Sequence, residues 1–276
     1  MAGQLPQGDP APTDGALPQS ALVGADARTL HAYLHVPFCR VRCGYCDFNT
    51  YTSSELKGFK PSDFVGNLLQ ELAIAERVLE GFEPRKLKSV FFGGGTPTQL
   101  PAADLVASFA ALRNSFGIVE GAEITTEANP DNVDFKYLSE LAAGGFNRIS
   151  LGMQSAVPSV LKTLEREHTP ENVPLAVKAA KESGLQVSID LIYGAPGETM
   201  DDWKRSVEAA LALETDHISA YALIVEDGTK LARQIKSGLL SEPDEDLEAE
   251  KYEYADDAFG NAGLNWYELS NWSRTE

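Results

Sequence analysis

All three cysteines of this 276-residue chain fall in one stretch, Cys39-Arg-Val-Arg-Cys43-Gly-Tyr-Cys46. An odd number of thiols packed this closely cannot form a disulfide framework. Three unrelated buried cysteines would rarely cluster so, and a ligand set is the natural reading. Iron–sulfur clusters are held by cysteine thiolates, and a cubane has four irons. Three cysteines therefore leave one iron open, and an open metal position is where an exogenous molecule can coordinate and react. With His35, the same residues would also make a Cys3His zinc set. The residue types alone leave that alternative standing.

Further candidates sit where short apolar runs end. Phe92-Gly93-Gly94-Gly95-Thr96-Pro97 offers backbone groups that a ligand can reach without side chains in the way; by itself such a run is equally a turn. Glu127, in Glu127-Ala-Asn129-Pro130, is a carboxylate able to bind hydroxyls or an ammonium, or else to cap the next helix. Gln154 closes Asn147-Arg-Ile-Ser-Leu-Gly152-Met-Gln154. Arg166 follows in Leu164-Glu-Arg-Glu-His168 and can grip a carboxylate with two parallel bonds, or simply form a surface ion pair. Asp190 interrupts an apolar run, where an unpartnered charge is costly, so it needs a polar role.

The elements that must position these residues alternate between two kinds. Strands are expected at Ala32–Phe38, Leu87–Phe92, Glu123–Ala128, Arg148–Met153, Val187–Tyr193 and His217–Leu223, each an almost continuous apolar or β-branched run, as when both faces are covered. Helices lie between them. Phe64, Leu68, Leu72, Ala75 and Leu79 recur at helical steps within Asp63–Leu79. Pro101 opens a second helix at its first position, Thr169-Pro170 starts another that Gly184 ends, and Thr199 with Asp202 makes a capping box. Six strand–helix units predict an α/β fold, a partial (β/α)6 barrel of the TIM type, with catalytic groups at the strand ends. We assign residues 30–225 to it. Residues 1–29, rich in Pro, Gly, Ala and Gln, are expected to be a disordered tail. An acidic helix, Pro243–Asn261, and a last strand, Leu264–Trp272, belong to residues 226–276. Its acidic run reads as a solvated face. Because the sequence ends without a helix stop or turn, this region is expected to be the truncated start of a C-terminal extension.

Composition narrows the partners. With 23 Lys and Arg against 41 Asp and Glu, the net charge is −18. That argues against nucleic acid, which needs a phosphate-neutralising face. There is no apolar run of about 18 residues to span a bilayer, and the first residues are not expected to be a secretory leader. A cytoplasmic location is expected.

The C-x3-C-x2-C spacing, with Tyr45 before the last cysteine, resembles the signature of the radical S-adenosylmethionine (SAM) superfamily. That resemblance implies that the amino and carboxylate groups of SAM chelate the open iron of a [4Fe–4S] cluster. An electron through the cluster then breaks the sulfonium C–S bond to give a 5′-deoxyadenosyl radical. Several motifs occur in order: Tyr33-Leu-His-Val-Pro-Phe-Cys39, Phe91-Phe-Gly-Gly-Gly-Thr-Pro-Thr98, Glu127-Ala-Asn-Pro130, Asn147 to Ser155, Asp190-Leu-Ile-Tyr-Gly194 and His217-Ile-Ser-Ala-Tyr-Ala-Leu223. From Tyr33 onward the chain is similar to oxygen-independent coproporphyrinogen III dehydrogenases and to their relatives, the heme chaperones. The resemblance implies SAM-site roles for Tyr33, Tyr45, Gly94, Gly95, Thr96, Glu127, Gln154, Arg166 and Asp190, and a backbone contact near Ile224.

Within that branch the dehydrogenases carry a fourth cysteine two residues after the third ligand. Here that residue is Phe48, as in the chaperones. The implied function is a heme chaperone that binds heme and delivers it to respiratory heme proteins; the alternative is decarboxylation of two propionates of a porphyrinogen. The chaperones' His-Asn-x-x-Tyr-Trp heme motif is expected shortly after Asn271-Trp272, beyond the last residue. An electron donor of flavodoxin or ferredoxin type is the implied reductant. Arg40 and Arg42 beside the ligands would favour its docking, unless they pair with neighbouring carboxylates.

Overall fold

The computed structural model describes residues 12–56, 58–80 and 85–274. Strand and helix alternate through β1 (Leu30–Val36), α1 (Phe64–Val78), β2 (Leu87–Gly94), α2 (Ala102–Phe116), β3 (Ile118–Ala128), α3 (Phe135–Ala143), β4 (Arg148–Gln154), α4 (Pro158–Thr163), α5 (Asn172–Glu182), β5 (Gln186–Tyr193), α6 (Met200–Leu211) and β6 (His217–Ala222). The six strands are parallel and lie side by side in chain order, the arrangement that strand–helix–strand crossovers build. Local sequence sets the boundaries. The Asp134 side chain accepts the Tyr137 N–H at 2.8 Å to start α3, and the Thr199–Asp202 capping box starts α6. The sheet curls into a half barrel with β1 at one edge.

Two expectations about the strands need correction. Both faces of β4 and β5 are covered, as expected, but one of them carries polar side chains rather than apolar ones. Glu127, Ser150, Gly152, Gln154 and Asp190 line one cavity on the concave side, and Glu123, Arg148, Gln186 and His217 line another. Along β3, β4 and β5 these residues are two or four apart, so on those strands they share one face. The alternate residues, among them Ile124, Ile149, Leu151, Val187, Ile189 and Ile218, are buried under the helices. A closed TIM barrel fills its interior with branched side chains; this concave wall instead presents groups that can bind a ligand.

The second correction concerns the last strand. After α7 (Lys230–Lys236) and α8 (Glu245–Asn261), the chain forms a hairpin, β7 (Asn265–Glu268) and β8 (Asn271–Ser273), in place of one strand over Leu264–Trp272. β8 runs antiparallel to β6, so the sheet has eight strands. The turn lacks glycine and is held by Glu268, whose Oε2 accepts from Ser270 N at 3.3 Å and Asn271 Nδ2 at 2.5 Å. Smaller differences are that Pro101 caps α2 from just outside it and that α4 has no counterpart among the expected helices. Residues 1–11 of the expected tail lie outside the described residues. Within 12–29 two 3-10 turns form, Gln19–Leu22 and Ala25–Ala27, and Arg85 donates to the carbonyls of Ala25 and Arg28.

The acidic helix α8 hides one basic residue. Lys251 is 1% exposed and donates to Glu198 Oε2 at 2.8 Å and Glu198 O at 3.0 Å, while its own carbonyl accepts from Trp203 Nε1 at 2.8 Å. This joins α8 to the loop after β5. Removing one partner of a buried pair strands the other charge, so Lys251→Met is expected to destabilise the fold by about 3–5 kcal/mol. Glu198→Gln combined with it should restore part of the loss. Urea unfolding of the parent and the two variants checks this; a loss for Lys251→Met no larger than for a surface lysine would refute it.

Candidate functional site

The cysteine segment leaves β1 and folds back against it. Phe38 bridges Tyr51, Cys39 N donates to Tyr51 O at 3.0 Å, and Tyr51 N donates to Pro37 O at 2.7 Å. Gly44 anchors the middle, donating to Leu164 O at 3.3 Å and accepting from Leu231 N at 2.8 Å. A Cβ there would lie 3.2 Å from the Glu165 carboxyl. Tyr45 packs into the apolar cluster of Val157, Leu164, Ile192 and Leu231, and burial raises its pKa. The next loop is fastened to the same strand: Gly95 N donates to Val36 O at 2.8 Å and Thr96 N to Phe38 O at 2.7 Å. Gly95 must lack a side chain, because a Cβ would stand 2.6 Å from Phe38 O.

These loops and the ends of β2 to β5 enclose a cavity of about 150 Å³. Cys39, Cys43 and Cys46 line it together with Tyr45, Gly94, Gly95, Thr96, Glu127, Gln154, Arg166 and Asp190. All three cysteines are free. Two expected residues lie outside this lining. Tyr33 is 59% exposed at the β1 edge, with its hydroxyl 3.1 Å from His35 Nδ1, and Ile224 is 62% exposed beyond β6. The structure adds Phe48, Asn129, Ser150 and Gly152. Ser150 and Gly152 had a readable signal, since they precede Gln154 at two-residue steps on one strand.

The electrostatics are set by burial and two neighbouring carboxyls. Burial, with the Asp190 charge nearby, pushes Glu127 up to about 7, opposed by the Gly94 N–H that donates to its Oε2 at 3.1 Å. Asp190 is also raised by burial, although the Ser150 hydroxyl lies 2.9 Å from its Oδ2. Arg166 is far from a surface ion pair. Its Nη2 donates to Asn129 Oδ1 at 2.6 Å and Gly152 O at 3.0 Å, its Nη1 to Cys43 Sγ at 3.4 Å, and its Nε to His168 Nδ1 at 3.4 Å. Arg40 pairs with Asp131 at 2.6 Å and Glu167 at 2.7 Å, and Arg42 with Glu55 at 3.3 Å. Neither arginine beside the ligands is a free cation, so the carboxylate pairing expected as the alternative is what forms.

Several observations test which group fits here. His35 donates from Nε2 to Asn49 O at 2.8 Å and has Tyr33 OH on Nδ1, so both ring nitrogens are engaged and the Cys3His zinc alternative loses its fourth ligand. Among the described residues, no three His, Cys, Asp or Glu side chains converge on a single ion. A cubane spreads its irons over separate corners and suits thiols set apart around a cavity. Gln154 adopts φ 61° where β4 ends, and its buried Oε1 has no hydrogen-bond partner. That orphaned acceptor and the Glu127 carboxyl match a ligand carrying N–H groups and hydroxyls, as SAM does, and one Nη1 hydrogen of Arg166 is left by its protein partners for a carboxylate.

Comparison with known proteins agrees. The chain is 46% identical over 243 residues to the heme chaperone HemW of Mycobacterium tuberculosis, covering 88% of this chain and 62% of that protein. It is 38% identical to HemW of Lactococcus lactis, covering 87% and 61%. The chain thus spans about three fifths of the length of these curated relatives. Among solved structures, the coproporphyrinogen III oxidase HemN of Escherichia coli, described as a radical SAM enzyme, superposes with a TM-score of 0.81 at 26% identity, covering 94% of this chain and 60% of that one. The profile of the Radical SAM superfamily matches residues 33–210, from the β1 edge through the cysteine loop and the cavity to α6. With more than half of the chain matched and the cysteines at the mouth of the same half barrel, the protein belongs to the radical SAM superfamily, whose cofactors are a [4Fe–4S] cluster and SAM.

Proposed function

We propose that this chain is the radical SAM core of a cytoplasmic heme chaperone that binds heme and passes it to respiratory heme proteins. In this reading residues 30–225 are its barrel and residues 226–276 a separate C-terminal part. The observation that carries the choice within the superfamily is Phe48. It lines the cavity beside the cysteines and is 62% exposed, at the position where the decarboxylating relatives have a fourth cysteine. A phenyl ring neither ligates iron nor moves a proton. Coproporphyrinogen also carries four carboxylates, which calls for several basic groups at the mouth; here Arg40 and Arg42 are already paired.

In this reading Cys39, Cys43 and Cys46 hold the cluster, which when bound supplies a single electron and an open iron. Backbone groups of Gly94 and Gly95, with Thr96, take the amino end of SAM, and the Nη1 hydrogen of Arg166 that its protein partners leave takes the carboxylate. Glu127, Gln154 and Asp190 face the ribose and ammonium groups, Tyr45 packs behind the ligand loop, and Tyr33 and Ile224 stand at the rim for the nucleoside. A flavodoxin- or ferredoxin-type protein serves as reductant.

The test uses the protein extended to the length of its relatives. Incubated anaerobically with SAM, a reductant and coproporphyrinogen III, it is expected to form no protoporphyrinogen IX, and in a separate titration to bind heme tightly. Product formed over many turnovers would overturn the chaperone reading in favour of the oxidase reading, which the likeness to HemN supports.

A further inference from the structure

Arg166 is surrounded in an unusual way for a half-buried cation. Among the described residues none of the ion pairs includes it. Its charge is met by neutral acceptors on three sides, Asn129 Oδ1, Gly152 O and His168 Nδ1, and by a sulfur on the fourth, Cys43 Sγ at 3.4 Å. The guanidinium is planar with donors in a fixed fork, so bonds at Nε and Nη2 determine where Nη1 points. His168 supplies the Nε bond. It is 4% exposed, and its Nε2 donates to Met153 O at 3.0 Å, which leaves Nδ1 as the acceptor. Burial, reinforced by the Arg166 charge, pushes His168 down to about 4, so it stays neutral and keeps that tautomer over the working range of pH.

We propose that Arg166 donates a hydrogen bond to the Cys43 ligand sulfur that raises the reduction potential of the cluster, and that His168 is the positioning residue that holds the guanidinium in the plane needed to make it. This rests on the reading of Cys43 as a cluster ligand and adds a task to Arg166 that does not depend on SAM. The physical ground is that reduction adds negative charge to the cluster and its thiolates. A fixed N–H and a nearby cation stabilise the reduced form more than the oxidised one. The bond needs orientation as well as charge: a lysine at 166 would keep the charge and lose the fork. An asparagine at 168 would keep an acceptor close to the Nδ1 position, whereas a leucine would keep bulk alone.

The experiment is a redox titration of anaerobically reconstituted full-chain protein without SAM, followed by the electron paramagnetic resonance signal of the reduced cluster, with iron and sulfide measured for every variant. The bond acts on the potential only through the difference between its strength in the reduced and in the oxidised cluster. Its loss should lower the reduced-to-oxidised ratio at a fixed potential by roughly tenfold, about 59 mV for a one-electron couple. Arg166→Lys and His168→Leu are expected to show that downward shift with altered g values at full iron content, and His168→Asn to recover most of it. Potentials and g values equal to the parent's in both Arg166→Lys and His168→Leu would overturn the proposal. So would a full shift in His168→Asn, which would mark His168 as structural filling. If His168→Leu fails to hold iron, the comparison of Arg166→Lys with His168→Asn decides by the same criteria. A parent that keeps its full cluster after Cys43→Ala would sink the ligand reading itself, a separate outcome.

Discussion

Replacing Cys39, Cys43 or Cys46 by Ala, one at a time, is expected to remove most of the iron and sulfide from anaerobically reconstituted protein and to bleach its brown colour. The effect should be the largest of any single substitution outside the core, because the chain has no other cysteine to take over. The three thiols share one cavity, and the Thr96 hydroxyl lies 4.0 Å from Cys39 Sγ. Burial raises the Cys39 and Cys46 thiols above their ordinary range, so without a metal they rest protonated, and ligation must displace the proton. Two anchors of three leave a second iron open to solvent, where the cubane is readily lost. Iron and sulfide analysis with the visible spectrum reads the outcome. A triple Ala variant retaining a full cluster would show that the ligands lie elsewhere, and a colourless zinc-loaded parent would revive the zinc alternative.

Affinity for SAM is expected to rise with pH up to about 7 and then to level off, because of Glu127. Its carboxyl is pushed up to about 7 by burial and the Asp190 charge, whereas a ligand ammonium or hydroxyl beside it favours the ionised form. Binding therefore releases a proton wherever Glu127 is protonated in the free protein, and the dissociation constant should fall by roughly tenfold per pH unit below that point. In Glu127→Gln the slope should vanish and binding at neutral pH should weaken. Stability without ligand runs the other way. A folded-state pKa above the unfolded value of 4.5 means that the native protein holds its proton more tightly. The stability this contributes is full below the unfolded value and is lost as pH rises through about 7. Relative to the parent, Glu127→Gln should gain on the order of 1–2 kcal/mol at about pH 8 and nothing at about pH 4, allowing for its partial exposure. Calorimetric titration of SAM and urea unfolding, each across pH, measure the two slopes. Identical pH profiles for parent and variant would remove Glu127 from the site.

Local features of the site were legible because they depend on spacing along the chain. Three thiols within one loop need no tertiary contact to be recognised as a ligand set, and the glycines after β2 announce a backbone that must come close to something. What Gly95 meets is the carbonyl of Phe38, 57 positions before it, and only the folded chain shows this. The alternation of strand and helix was likewise readable, since apolar periodicity and caps are local properties; the Thr199 capping box forms as its spacing predicts.

Other features were decided by the fold. Arg166, taken alone, reads equally as a surface cation, because nothing near it in sequence states that β4 delivers Gly152 O and the cysteine loop delivers Cys43 to the same place. The polar concave wall escaped notice because serine, threonine and glycine between branched residues do not break an apolar run on inspection; curvature of the sheet decides that one set of alternate residues faces a cavity and the other the helices. Lys251 looked like part of a solvated acidic helix until α8 packed it against Glu198, 53 residues earlier. The chain by itself determined the chemistry available and the order of the elements, both written in short-range pattern. Tertiary structure alone decided which polar groups share a cavity, because burial and charge proximity depend on distances in space that residue spacing does not contain.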